Sequence, residues 1–379
     1  MRVSVRQENL AKGLSIVGRA VENRPTLPVL SNVLLNAEDA RLKLAAMDMS
    51  LGMSITCWIG AKVDEPGAIT LPKNTLADLV NNLSPERVDL TLDKTHQTVN
   101  VRCGTTVSNI KGIDSSEFPL LPEDGGGDVI VSGRTLKDMI NQTVFATAKE
   151  DNRPILTGIY TELNGNTLTM AAADGYRLAV RTSEIEANFP ESFSMVIPGR
   201  ALAEVARIIS EEDDEIGITL PGDRDMVLFH LKNVLVSSQL LEGRFPDFGG
   251  VIPKNYITQT VVYTSDLLRA CKRAAIFARD SAGSAQILIK PARSAGEPGE
   301  VVIAGRSNER GDNTGMVDAS VEGEGLDVSL NVEYLIDVLN VIPDERVILQ
   351  SNGATSPSVL RPENRDDFIH VIMPMTRPN

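Results

Sequence analysis

The sequence predicts an α+β protein built from three similar units, each with two helices and antiparallel sheet. Three observations lead there. A helix-period apolar stripe recurs at Leu76, Leu79, Val80 and Leu83, at Leu202, Val205, Ala206 and Ile209, and at Leu335, Val338, Leu339 and Ile342. Each stripe follows a short strand-like run: "AITLP", "SMVIP" or "DVSLN". Each is followed by strands ending on a related phrase: "EFPLLP" (Glu117 to Pro122), "RFPDFGGVIP" (Arg244 to Pro253) and "HVIMPM" (His370 to Met375). Chance could supply one match, but a set in constant order defines an internal repeat of about 127 residues.

The first half of each unit repeats as well. "ENLAKGLSIV", "RTLKDMINQT" and "SDLLRACKRA" align on Leu10, Leu136 and Leu267 as a second set of short helices. Two strands come next, most plainly in "LKLAAMDMSLGMSI" from Leu42 and "LTMAAADGYRLAVR" from Leu168, with Asp48 or Asp174 at the turn between them. Between helix and strand, the first two units share "ENRPTLPVLSN" (Glu22 to Asn32) and "DNRPILTGIYT" (Asp151 to Thr161). Pro25 and Pro154 are expected to stop the helix at the residue before each. In the third unit "FARDSAGSAQILI" stands in that place. The junctions fall at "EDGGGD" (Glu123 to Asp128) and near Lys254 in "VIPKNY", giving domains 1–127, 128–253 and 254–379. No strand precedes the glycine run and no Lys-Ser/Thr follows it, so it reads as a linker and not a phosphate loop. "ARSAGEPGE" (Ala292 to Glu300) is a hairpin tip within the third unit.

At 379 residues the chain is long enough for three cores, and 42% hydrophobic with 23% charged residues is ordinary for a globular protein. No apolar run approaches the roughly 20 residues of a membrane span. The N-terminus lacks a signal-peptide core, and three scattered cysteines, Cys57, Cys103 and Cys271, fit neither a disulfide framework nor a zinc site. A reduced, cytoplasmic setting is the expectation. His96, His230 and His370 are isolated, so no metal and no cofactor is expected. No nucleophile–base motif appears. Asp-Gly in "DGYRLAV" is foremost a turn, and "SEEDDE" (Ser210 to Glu215) is a solvated acidic loop.

Similar units placed edge to edge make an arc, and an arc leaves exposed strand edges unless it closes. A symmetric dimer would close it into six units and twelve helices. The net charge of −14 argues against wholesale binding to DNA or acidic membrane. The helices, however, carry local basic residues: Lys12 and Arg19, Lys137 and Lys149, Arg200 and Arg207, Arg269, Lys272 and Arg273. A solvated helix face is the plain reading of any one such stripe, and Glu333 with Asp337 makes the last helix acidic. Together the stripes suit a surface that tracks nucleic-acid backbone without reading sequence. Arg24, Arg153, Arg200, Arg207, Arg273 and Arg279 are the candidate phosphate contacts.

In "RPTLPVLSNVLL" (Arg24 to Leu35), "RPILTGIY" (Arg153 to Tyr160), "AADGYRLAV" (Ala172 to Val180), "EGRFPDF" with "VIPKN", and the terminal "VIMPM" (Val371 to Met375), the whole chain resembles the β sliding clamp family of bacterial DNA polymerase III. The resemblance implies a DNA-clamp fold of three domains and a head-to-tail homodimer, the first domain of one chain against the third of the other. It implies encircled double-stranded DNA, no catalysis, and tethering of the polymerase III catalytic subunit, the clamp loader, other polymerases and repair proteins through short clamp-binding peptides. The family's partner pocket maps to Leu156, Gly175, Tyr176, Arg177, Leu178, Pro246, Val251, Ser358, Val371, Met373, Pro374 and Met375. Core packing is an equal alternative for Leu178 and Val371. The dimer contact maps to Ile110, Ile276 and Phe277. This sequence departs from the family pattern at Ser108, where an aromatic can stand, at Phe248, often Tyr, and at Thr376, where Arg is common. A nucleotide-processing enzyme and a protein-only scaffold are the competing classes.

Overall fold

The helices begin the same way throughout, by direct continuation of a strand. Arg2–Arg6 runs into helix α1 (Gln7–Val17), Gly67–Pro72 into α2 (Lys73–Asn81), and Val129–Ser132 into α3 (Gly133–Val144). Arg177–Pro198 runs into α4 (Gly199–Ile208), Thr258–Tyr263 into α5 (Thr264–Ala278), and Leu326–Asn331 into α6 (Val332–Val341). The computed structural model describes residues 1–22, 25–122, 127–150, 152–211, 214–220, 225–294 and 297–376, with the backbone alone at 187–191. Asn331 shows how one such junction is held: its side-chain oxygen accepts the Glu333 N–H at 3.0 Å, capping α6.

The chain forms two compact units, Met1–Lys137 with Arg200–Leu240, and Asp138–Gly199 with Leu241–Asn379. The first holds two antiparallel sheets. Five strands run in the order Lys62–Glu65, Arg2–Arg6, Arg87–Asp93, Thr98–Cys103, Thr106–Lys111. Eight run from Val129–Ser132 through Glu215–Thr219, Met226–Leu231, Val234–Gln239, Met53–Gly60, Arg41–Asp48 and Asn32–Glu38 to Gly67–Pro72. This larger sheet crosses from the second sequence repeat into the first where Val234 pairs with Cys57, Val236 with Ile55 and Ser238 with Met53. α1 lays Leu10, Gly13, Leu14 and Val17 on it.

The second unit is organised around a ten-stranded sheet that crosses from the second repeat into the third in the same manner. Here Leu178 pairs with Val371, Ala179 with His370 and Arg181 with Phe368. The repeats are thus joined by continuous antiparallel ladders, whose backbone groups are satisfied across the seam.

Equivalent hydrogen bonds recur at both seams. At the C-terminal end of each seam strand, Gln239 N–H donates to Gly52 O at 2.8 Å, and Met373 N–H to Tyr176 O at 2.9 Å. At the turn aspartates, Asp48 accepts from Leu51 N–H and Asp174 from Arg177 N–H, each at 3.0 Å.

The shared proline phrase needs a correction. Helix α1 ends at Val17 and α3 at Val144, well before Pro25 and Pro154, so neither proline is the residue that stops a helix. Pro154 instead opens a 3-10 turn, Pro154–Thr157, where its missing N–H has no acceptor to serve. The structural counterpart of that turn is Pro28–Ser31. Leu30 N–H bonds Leu27 O at 3.0 Å as Leu156 N–H bonds Arg153 O at 2.9 Å. Ser31 and Thr157 hydroxyls reach the carbonyls of Pro28 and Pro154, both at 2.7 Å. Leu27-Pro28, not Arg24-Pro25, therefore matches Arg153-Pro154. In the third repeat α5 passes through Arg279–Ser281 and a left-handed Ala282 directly into Ser284–Lys290.

α5 buries a face of small residues, Ala270, Cys271, Ala274 and Ala278, which lets its backbone come close to the strand Gly299–Ser307. A Cβ at Gly305 would lie 2.2 Å from the Ala274 carbonyl oxygen, an atom of the helix backbone that cannot swing aside. Gly305→Ala should therefore cost about 1–3 kcal/mol through overpacking. A thermal melt that leaves the midpoint within a degree of the parent would contradict this close contact.

Candidate protein-docking site

The residues expected to form a partner pocket converge within the second compact unit. The Asp174 carboxylate folds the turn, its Oδ1 accepting the N–H groups of Tyr176 and Arg177 at 2.9 and 3.0 Å. Gly175 takes φ +93, a left-handed conformation that glycine enters without Cβ strain. The turn pushes Tyr176 outward, 67% exposed, while the C-terminal segment passes alongside through the Met373 N–H bond to Tyr176 O. Met375 N–H then reaches Ser329 O at 2.8 Å.

Beneath this surface lie two apolar clusters. Ala171, Leu178, Val180, Val359 and Val371 form one, and Leu156, Val196 and Phe245 the other. Tyr160, Ala173 and Phe248 pack on both. Tyr160, Phe245 and Phe248 stand with ring centroids 5.6, 5.7 and 6.3 Å apart in tilted and edge-on arrangements. Leu178, Val371, Leu156 and Ser358 are buried, so they support the site from below. Leu178 and Val371 pack together in the first cluster. Pro246, Val251 and Met373 are exposed, and Pro374 and Met375 half-buried, at the accessible surface.

Arg177 is the polar centre of this region, its side chain only 3% exposed. Its guanidinium donates to Asp174 at 3.0 Å, to Asp337 at 2.6 Å and to the Phe145 carbonyl at 2.6 Å. Tyr334 covers its face at 4.2 Å and Phe145 at 5.5 Å. Burial, then the charge of Asp174, raises the Tyr334 pKa, so its hydroxyl stays protonated. Sequence spacing does not assign Tyr160, Phe245, Tyr334 or Asp337 to this site. Tyr334 and Asp337 reach the site from α6 of the following repeat, a convergence that no local spacing encodes.

The other expected residues divide by exposure. Arg153, Arg200, Arg207, Arg273 and Arg279 are exposed, and Arg24 lies outside the described residues. Arg207 and Arg19 both pair with Glu204, the latter at 3.1 Å, so neither is a free cation. Ile276 is exposed on α5 and Phe277 half-buried beside it. Ile110 is 5% exposed, pointing inward from its edge strand, whereas Val107 on the same strand is 51% exposed. The three cysteines are free and buried; burial pushes the Cys57 thiol to about 11 and Cys271 to about 12. Among the described residues no helix is long and apolar enough to cross a membrane, and no cluster of three or more metal-ligating side chains occurs.

Three α+β repeats joined by sheet-edge seams define the class of DNA clamps. Models of the DNA polymerase III beta subunit match in chain order: its N-terminal domain over residues 1–122, its central domain over 130–247 and its C-terminal domain over 250–376. The beta sliding clamp of Synechococcus elongatus is 32% identical over 379 residues, and that of Bacillus subtilis 30% over 386, each match covering 99% of both chains. Crystal structures of the sliding clamp from Bacillus subtilis and of the DNA polymerase III subunit beta from Pseudomonas aeruginosa superpose with TM-scores of 0.92 and 0.90. They are 28% and 29% identical to this chain, with full coverage of both chains. The chain belongs to the DNA polymerase III beta subunit family, whose members are non-catalytic processivity factors.

His370 sits in the strand Phe368–Ile372, fully buried, its ring 5.3 Å from Phe145 and neither nitrogen making a hydrogen bond of normal geometry. Burial, and then the Arg177 charge, push its pKa from 6.5 down to about 3. The unfolded chain therefore takes up this proton more readily than the folded one. Stability from this group is intact above about pH 6.5 and drains as pH falls toward 3, by up to about 1.4 kcal/mol per pH unit. His370→Phe keeps a flat ring against Phe145 and removes the titration. Its urea midpoint should fall less steeply than the parent's between pH 6.5 and 4; parallel curves would sink the assignment.

Proposed function

We propose that this sliding clamp works as a head-to-tail homodimer that encircles duplex DNA without reading its sequence. It tethers the replicative polymerase, and in turn the clamp loader, other polymerases and repair proteins, through short peptides seated at the Tyr176–Met373 surface. The domains taken to repeat around the ring are 1–127, 128–253 and 254–379.

The observation that carries this reading is a pair of unmatched strand edges. Thr106–Lys111, the first-repeat counterpart of the seam strands Val234–Gln239 and Phe368–Ile372, pairs on one side only, with Thr98–Cys103. In the third repeat Gly311–Ala319 pairs only with Gly299–Ser307. By position in the repeat these two segments correspond to the strands that meet at the seams, Thr106–Lys111 to the incoming strand and Gly311–Ala319 to the receiving one. Unpaired edges of this kind invite another chain. Joining the first to the second in a partner copy repeats the seam and closes the assembly. Val107 and the exposed Met316 lie on those edges, and Ile276 on α5.

Arg153, Arg200, Arg273 and Arg279 supply exposed charge for phosphates, though the net charge stays at −14. Retention then rests on topology, with contacts weak and salt-sensitive. The protein loaded on nicked circular DNA should stay through gel filtration and leave once the circle is cut. A clamp that is lost from intact circles as fast as from linear DNA is not encircling it, and a protein-only scaffold would then be favoured. Replacing Ile276 and Phe277 together by Ala should yield monomers at micromolar concentration by native mass, and abolish retention.

The peptide site is tested by a truncation that respects the sheet. Val371 and Ile372 belong to the seam strand, paired with Leu178 and Arg177, so a cut that spares the fold begins at Met373. Removing Met373 to Asn379 should lower affinity for a clamp-binding peptide at least tenfold, since apolar anchors carry most of such binding energy. A folded dimer that still binds the peptide with unchanged affinity would place the site elsewhere.

A further inference from the structure

Arg177 lies in the wall of the proposed peptide site, yet it offers that site no free charge. Three of its N–H groups are committed, to Asp174, Asp337 and the Phe145 carbonyl, and the rings of Tyr334 and Phe145 lie against it. Asp174 has a separate duty, because its other oxygen holds the Tyr176 turn. Asp337 does not: among the described residues its carboxylate bonds only Arg177. Two carboxylates against one guanidinium leave an excess of negative charge. Asp337, 40% exposed, carries that excess toward solvent beside Tyr334, one helical turn away on α6.

We propose that Asp337 is a specificity-determining residue of the docking site, which by pinning and over-neutralising Arg177 excludes peptides that bring an acidic side chain to it. The inference rests on the peptide reading above and deepens it. An arginine at a binding surface ordinarily attracts carboxylates, through paired N–H groups fixed in a fork. Here the guanidinium is buried and three of its N–H groups are taken, so an incoming carboxylate would meet the charge of Asp337 at the surface with no exposed donor to offset it. An apolar anchor meets no such penalty, because the adjoining surface is Tyr334, Tyr176 and Met373 above the clusters of Leu178 and Leu156. Discrimination by repulsion of the wrong ligand adds to attraction of the right one.

The test uses the full-length dimer and two fluorescein-labelled decapeptides. They are identical except that one carries Leu-Phe at its anchor positions and the other Glu-Phe. The parent should bind the Leu peptide at least about tenfold tighter than the Glu peptide. Asp337→Asn should shrink that ratio about tenfold, mainly by tightening the Glu peptide, and Asp337→Glu should restore it. Thermal melting of each variant establishes that the fold is kept. If both peptides weaken equally in Asp337→Asn, the residue merely packs, and the inference is overturned. An unmoved ratio overturns it too, leaving the peptide site itself standing. A parent that binds neither peptide removes the peptide site and this inference together.

Discussion

Backbone hydrogen bonding across the repeats is the constraint from which the other features of this protein follow. A β-strand at the margin of its own unit presents unpaired N–H and C=O groups, and each left buried and unmet costs about 1–3 kcal/mol. Here the marginal strand of the second repeat, Val234–Gln239, meets Met53–Gly60 of the first, and Phe368–Ile372 of the third meets Arg177–Pro198 of the second. The same ladders that satisfy these groups make each pair of successive repeats share a sheet. It also explains why the compact units do not follow sequence repeats: residues 200–240 fold with the first repeat because their strands complete its sheet.

The proposed docking surface is a by-product of one of these seams. Where Arg177–Pro198 meets Phe368–Ile372, the turn at Asp174 and the C-terminal segment are brought side by side, and two apolar clusters meet under them. The polar residues at this place are buried in groups. Arg181 donates to Gln142 at 2.7 Å, Gln142 reaches the Val341 carbonyl at 3.1 Å, and Asp367 pairs with Arg181 at 2.6 Å. These bonds run between α3, α6 and the seam strands, so the wall of the site is held by the same contacts that hold the repeats. The His370 imidazole and the Ser358 hydroxyl stand apart, buried among the described residues without a hydrogen bond of normal geometry.

Much of this was legible in the sequence because it is local and periodic. The six helices, and the strands that feed α2, α4 and α6, can be read from spacing and repetition, since a stripe at three and four residues and an alternating run are different patterns. The turn at Asp174 and its echo at Asp48 were legible for the same reason. What failed was alignment across a change in loop length: Arg24-Pro25 looked like Arg153-Pro154, but a hydrogen-bonded turn, not a word, is the unit that repeats. Facing was illegible as well. Ile110 and Val107 lie on one edge strand, and only its ladder with Val99 and its neighbours decides which of them points inward. Leu178, Val371 and Ser358, which the resemblance maps to a partner pocket, are buried, since supporting a surface and forming it place similar demands on a strand. The tie of Tyr334 and Asp337 to Arg177 was illegible, because it exists only in three dimensions.

The equivalence of the two seams bears on how such a chain could arise. Gln239 and Met373 make the same bond to the turn beyond the partner strand, in separate sheets with different side chains. An ancestral unit able to make that bond with another copy of itself would need to invent only one interface. Gene duplication and fusion could then lengthen the chain without new surfaces, each added copy arriving with both halves of a joint already selected. Substitutions would afterwards be free to individualise the joints, and a partner site such as the one beside Tyr176 could evolve at one of them while the others kept only their structural task.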